Sequence, residues 1–251
     1  APDFWSWRGG LFEFVAPPSV PTAAAQPVQY SQRLEAAGDA DSQIPIADLQ
    51  QQIADLEAAS PDSPLLITLH NTLGKAYERQ YDYQAALTHY EQALALAKTH
   101  QDLLAQARAL RNLGNALQNC GRPFQAIAYY QQSLDIEREI SNCQGEADAL
   151  GNLGNAYLLL NQYQQAIDFH QQQLVIAREI HDRQGEANSL CGLGNAYYLL
   201  SQYQRAVEFY QQQLAIAREI GDRQGEANSL GNLGNAYRSL GQYQQAIEFY
   251  Q

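Results

Sequence analysis

The stretch DRQGEANSLCGLGNAYYLLSQYQRAVEFYQQQLAIAREI, residues 182 to 220, carries two apolar patterns in succession. Ala187, Leu190, Leu193, Gly194, Ala196, Tyr197 and Leu200 fall on one helical face. Ser201-Gln202 then interrupts, and Tyr203, Ala206, Val207, Tyr210, Leu214 and Ala217 make a second such face. The unit therefore reads as two amphipathic helices joined by a short turn. Its boundaries have physical causes. Asp182 and Asp222 are placed to accept hydrogen bonds from the free amides at the start of a first helix. Pro123 stands where a second helix begins, and Gly241 falls in a turn between helices.

Leu-Gly pairs recur at 73, 113, 153, 193 and 233, a constant spacing of 40 residues, and the surrounding text moves with them. A period in this range marks a solenoid, in which each unit buries its apolar face only by stacking on its neighbours. The expected organisation is an aromatic arm over 1–15 with a possible hairpin, an extended linker over 16–44, and a capping helix over 45–60. Five repeat units follow at 61–100, 101–140, 141–180, 181–220 and 221–251, the last incomplete. In the capping segment Ile46, Leu49, Ile53 and Leu56 share one helical face, and Ser60-Pro61 punctuates before the solenoid.

The pattern L-G-x-x-Y is followed by an alanine 13 residues after the leucine (Ala86, Ala126, Ala166, Ala206, Ala246) and then by Tyr90, Tyr130, Tyr210 or Tyr250. It resembles the tetratricopeptide repeat (TPR). The long period and the linking phrase AREIGDRQGEA resemble the variant found in kinesin light chains and spindle-orienting adaptors. The resemblance is also close to bacterial multi-repeat proteins in which such arrays precede an effector domain. It covers about residues 62 to 251 and departs where His170 replaces the second-helix tyrosine and Leu117 the first-helix one. The fold it implies is all-α: a right-handed superhelical solenoid of antiparallel helix pairs, here preceded by an irregular N-terminal arm.

Composition narrows the function. The 27 acidic against 15 basic residues give a net charge of -12, and only Lys75 and Lys98 are lysine, so the basic stripes that nucleic acid requires are missing. No apolar run reaches the ~18 residues of a membrane span. Cys120, Cys143 and Cys191 fit neither a zinc site nor a disulfide scaffold, which favours a reducing, cytoplasmic setting. The chain lacks methionine, so Ala1 is not expected to be the translational start, and an exported location stays open.

The heptapeptide GNLGNAY at 151–157 returns at 231–237, with near-copies at 111 and 191, although glycine and asparagine each cost a helix up to ~1 kcal/mol against alanine. On a helical wheel, Gly154 and its equivalents at 74, 114, 194 and 234 lie on the packing side, where a missing side chain admits a neighbouring helix. Asp148, Asn152, Asn155 and Leu159 form a separate stripe, leaving Gly151 on its margin.

In proteins of the resembling family the first helices line a concave groove, and asparagine there pairs its amide with the main chain of an extended peptide. The implied groove residues are Lys75, Arg79, Arg108, Arg111, Asn112, Asn115, Asn152, Asn155, Asn188, Asn195, Asn228, Asn232 and Asn235. They divide into a basic early end and an amide late end, which would orient a peptide carrying acidic groups toward the early repeats. Arg111, Asn115 and Asn152 match the start of the carboxylate clamp of chaperone-binding relatives. Asn188 and Gly192, however, replace its last two cations.

Nothing in the sequence reads as a catalytic or cofactor site. Histidines 70, 89, 100, 170 and 181 fall at different places in the repeat, sharing no face with paired carboxylates or cysteines, and no metal motif or phosphate loop is present. Cys191 reads as a small groove residue in the place of Gly151 and Gly231.

The leading expectation is a non-catalytic adaptor that binds a protein or extended peptide and needs no cofactor. The alternatives are the sensor part of a larger enzyme, such as a caspase-like protease following Gln251, and an assembly subunit anchored by its arm. Self-association through the uncapped last repeat is a further expectation. In the arm FWSWRGGLFEF, a two-residue turn at Gly9-Gly10 would set Trp5 opposite Phe14 and Trp7 opposite Phe12, a possible docking tip.

Overall fold

The computed structural model describes two short strands at 5–8 and 11–14 and the continuous stretch 44–250. Strands β1 (Trp5–Arg8) and β2 (Leu11–Phe14) pair antiparallel, with Trp5 opposite Phe14 and Trp7 opposite Phe12. This is the register the two-residue turn demands. The turn itself, the expected linker up to residue 43 and Gln251 lie outside the described residues.

Eleven helices are described over the rest: α1 (Ile46–Ala59), α2 (Leu65–Arg79), α3 (Tyr83–Thr99), α4 (Leu103–Asn119), α5 (Pro123–Glu139), α6 (Cys143–Leu159), α7 (Tyr163–Glu179), α8 (Arg183–Leu199), α9 (Tyr203–Ile220), α10 (Arg223–Ser239) and α11 (Tyr243–Tyr250). Each packs on the next, and first helices of successive repeats also touch, as α6 does α8. The result is a solenoid of helix pairs. Leu49, Ile53 and Leu56 of α1 close its early end by burying against Leu66, Leu69 and Leu73 of α2. Among the described residues no helix is long and apolar enough to cross a membrane.

The short turns are closed by a single left-handed residue. At the turn after α6, Asn161 (φ 59°) lets its own amide reach Leu158 O and lets Gln162 N reach Tyr157 O, at 3.0 and 2.9 Å. The first helices of the later repeats start on side-chain caps, with Asn142, Asp182 and Asp222 accepting from the amides of Gly145, Gly185 and Gly225. Asp182 does more than cap: its other oxygen accepts from Gln144 Nε2 of the preceding repeat at 3.0 Å. Asp182→Ala removes both bonds and is expected to lower stability by ~1 to 2 kcal/mol, read as a shift of the urea midpoint at unchanged slope.

Packing within each repeat turns on two contacts. The alanines at 86, 126, 166, 206 and 246 are buried at the crossing of the two helices. Above them the second-helix ring lies directly on the Leu-Gly glycine. A methyl group added at Gly114 would sit 2.4 Å from Tyr130 Cε1, and Gly74, Gly194 and Gly234 meet Tyr90, Tyr210 and Tyr250 in the same way. The packing role expected of these glycines is thus specific: they admit a flat ring, not a neighbouring backbone. On the other side of the pair, Tyr157, Tyr197 and Tyr237 stack on Phe169, Phe209 and Phe249 with centroids 5.2 to 5.3 Å apart.

Candidate functional site

The first helices α4, α6, α8 and α10 line a groove whose principal cavity has a volume of about 560 Å³. Arg111, Asn115, Asn152, Asn155, Asn188, Asn195 and Asn228 all face it, and its floor comes from His170 and Gln173 of α7 and Gln213 of α9. A second cavity of about 320 Å³ continues toward the last repeat. There Asn195, Asn232 and Asn235 stand beside Leu158, Leu159, Tyr198 and Leu199. Leu159 and Leu199 are 57% and 47% exposed, so the groove passes from a polar section to one with apolar edges.

The remaining sequence-derived candidates lie outside both cavities. Lys75, Arg79 and Arg108 are exposed on α2 and α4, and Asn112 donates from Nδ2 to Asn71 Oδ1 at 2.9 Å. Arg111 is the cation inside the principal cavity, and Asp148 holds it through an Nη1 to Oδ2 contact of 2.9 Å. Trp5, Trp7, Phe12 and Phe14 lie on the paired strands β1 and β2.

The asparagines proved to have inner partners as well as a groove face. Asn115, Asn195 and Asn235 accept on Oδ1 from the hydroxyls of Tyr130, Tyr210 and Tyr250, at 2.8, 2.8 and 2.9 Å. Asn188 and Asn228 accept in the same sense from Gln184 and Gln224, at 3.3 and 3.0 Å. With their carbonyls committed, these amides keep N–H groups to offer. The Nδ2 of Asn195 approaches the Cys191 thiol at 3.8 Å, whereas Asn152 and Asn155 make no side-chain hydrogen bond among the described residues.

Sequence position had also separated groups that the fold joins. His170 lines the same cavity as Cys191, contrary to the expectation that no histidine shares a face with a cysteine. Burial pushes the Cys191 thiol up and so makes it less nucleophilic, an effect that hydrogen bonding from Asn195 and Gln213 opposes. His70 and His89 stack at 5.4 Å, with their Nδ1 atoms 3.2 Å apart, and Glu57 stands 3.8 Å from His70 Nε2. Among the described residues no group of three or more His, Cys, Asp or Glu side chains could hold a metal ion. Gly151 finds its reason here too: a methyl group there would meet the Gln173 amide at 2.6 Å.

The sequence profile of the tetratricopeptide repeat matches residues 46–99, 105–179, 162–219 and 185–251. The chain belongs to the tetratricopeptide repeat family. No curated protein matches it in sequence. Among solved structures, this TPR chain is similar to BtubC (BKLC) from P. vanneervenii, with a TM-score of 0.72 at 21% identity over 81% of this chain and 86% of that one. A Rap protein complexed with competence and sporulation factor superposes with a TM-score of 0.67 at 16% identity, over 90% and 74% of the two chains. A signal transduction ATPase with numerous domains from Pyrococcus horikoshii, which carries a TPR sensor, gives 0.70 at 20% identity. In that case 89% of this chain is covered but only 36% of the ATPase. At such identities the likeness is one of fold.

Proposed function

We propose that this TPR array is a non-catalytic scaffold that holds an extended peptide, or an extended segment of a partner protein, along the groove of its first helices. The observation that carries the reading is the one-sided commitment of the amides. Asn115, Asn195 and Asn235 each give Oδ1 to a tyrosine, which fixes the amide and leaves its N–H groups for a carbonyl on the groove side. A row of fixed donors suits the regularly spaced carbonyls of an extended main chain and tolerates many side-chain sequences. The exposed leucines 159 and 199 add apolar contact at the later repeats. The Rap structure in complex with competence and sporulation factor is consistent with an array of this shape binding a partner.

Selection of peptides from a displayed random library on the whole chain tests this reading. Changing Asn152, Asn155, Asn232 and Asn235 together to alanine is expected to weaken the selected peptides at least ~30-fold, since a net hydrogen bond is worth about 1 kcal/mol. The helical circular dichroism is expected to hold. Selected peptides that bind the quadruple variant undiminished would place the site elsewhere. The likeness to a TPR sensor within a larger ATPase favours a second reading, in which groove occupancy is relayed to a catalytic domain on the same polypeptide. A partner domain whose activity responds to a groove peptide would support it.

A further inference from the structure

Two departures from the repeat meet at one point. Where the other second helices carry Tyr90, Tyr130 and Tyr210, α7 carries His170. Where the following first helices carry Asn112, Asn152 and Asn232, α8 carries Gly192. The two are in contact: a methyl group on Gly192 would lie 2.4 Å from the His170 ring, and one on Gly154 would lie 2.6 Å from Nε2. One junction of the array has thus lost both a tyrosine hydroxyl and a groove amide, and it lies in the middle of the principal cavity.

The consequence is a local reversal of hydrogen-bonding sense. Asn155, unlike Asn115, Asn195 and Asn235, has no tyrosine hydroxyl to accept, so its Oδ1 is available. His170 is 2% exposed, and its Nδ1 lies 3.2 Å from Gln173 Oε1; that nitrogen carries the proton, and Nε2 is left as an unpartnered acceptor. Burial holds the ring below the usual imidazole range and so keeps it neutral. Gln213 Oε1 is likewise buried in the cavity lining without a partner. The cavity lining also carries the carboxylates of Asp148, which is paired with the lining's cation Arg111, and of Asp222, which caps α10.

Buried acceptors without donors are costly, and a ligand that supplies N–H groups relieves them. We infer that the junction of the third and fourth repeats is a specificity pocket that takes a lysine or arginine side chain of the bound peptide, entering over Gly192 toward Asn155 and His170. The inference rests on the reading of the groove as a peptide site. It assigns the flanking amides to the peptide main chain and this pocket to a single side chain.

The test restores the ordinary repeat. His170→Tyr combined with Gly192→Asn rebuilds the pair present at the neighbouring junctions, and so is compatible with the fold. A displayed random peptide library selected on the wild-type chain is expected to show lysine or arginine enriched at least tenfold at one position. The double variant is expected to retain peptides but lose that enrichment. In peptides of one selected sequence, replacing the cationic residue by norleucine is expected to weaken binding to the wild type tenfold or more, and to the double variant less than twofold. Equal cationic preference in both proteins, or an acidic or apolar preference in the wild type, overturns the pocket and leaves the groove standing. Failure of the wild type to select any peptide overturns both.

Discussion

Gly114→Ala is expected to destabilise the protein by about 2 kcal/mol, whereas Gly231→Ala is expected to stabilise it by ~0.5 to 1 kcal/mol. Both glycines are in the interior of first helices, and on helix propensity alone both substitutions should help. The difference lies in what the new methyl group meets. At Gly231 nothing stands within 4 Å, but at Gly114 the Tyr130 ring lies at 2.4 to 2.9 Å. Tyr130 has nowhere to go, being fully buried with its hydroxyl tied to Asn115 at 2.8 Å. Overpacking of this kind costs ~1 to 3 kcal/mol and outweighs the propensity gain. Urea unfolding followed by circular dichroism reads both values. Stabilisation by both variants would show that the ring does not rest on the glycine.

Acid is expected to weaken the early end of the array through His70. Desolvation first, and the neighbouring His89 second, hold its pKa down at about 4, against 6.5 for the free side chain. As pH falls from 6.5 toward 4 the unfolded chain takes up a proton that the folded chain refuses. The stability from the neutral ring is therefore complete above 6.5 and is lost progressively below it. Near pH 5 the loss amounts to up to ~2 kcal/mol. His89, stacked on His70 and also held low by burial, acts in the same direction, while Glu57 on α1 is the carboxylate that opposes it. Comparing urea midpoints at pH 7 and pH 5 for the wild type and His70→Leu isolates the effect, because the carboxylates common to both cancel. An unchanged pH dependence in the leucine variant would assign the acid sensitivity elsewhere.

The fold was legible in the sequence because it is written five times. A period of 40 residues, two apolar faces per period and an alanine at each crossing left little choice, and the wheel placed Gly154 on the packing side. The wheel works within one helix, and its failures lie between helices. That Asn115 is the partner of Tyr130 depends on how α4 and α5 fold back on one another, so the asparagines read as groove residues alone. The pairing of Arg111 with Asp148 likewise spans two repeats, and it was invisible in a count of basic residues at the early end. His170 and Gly192 were each visible as exceptions, but only the contact between α7 and α8 makes them a single exception.

The second bond made by the capping aspartates couples the start of a first helix to the repeat before it. Asp182 both starts α8 and accepts from Gln144 of the repeat before it, and Asp222 stands in the same relation to α10 and Gln184, at 3.5 Å. The first turns of α8 and α10, the costly step in forming a helix, are therefore each tied to a side chain of the preceding repeat. One carboxylate thus serves two repeats at once, so that a helix start and a repeat junction stand or fall together.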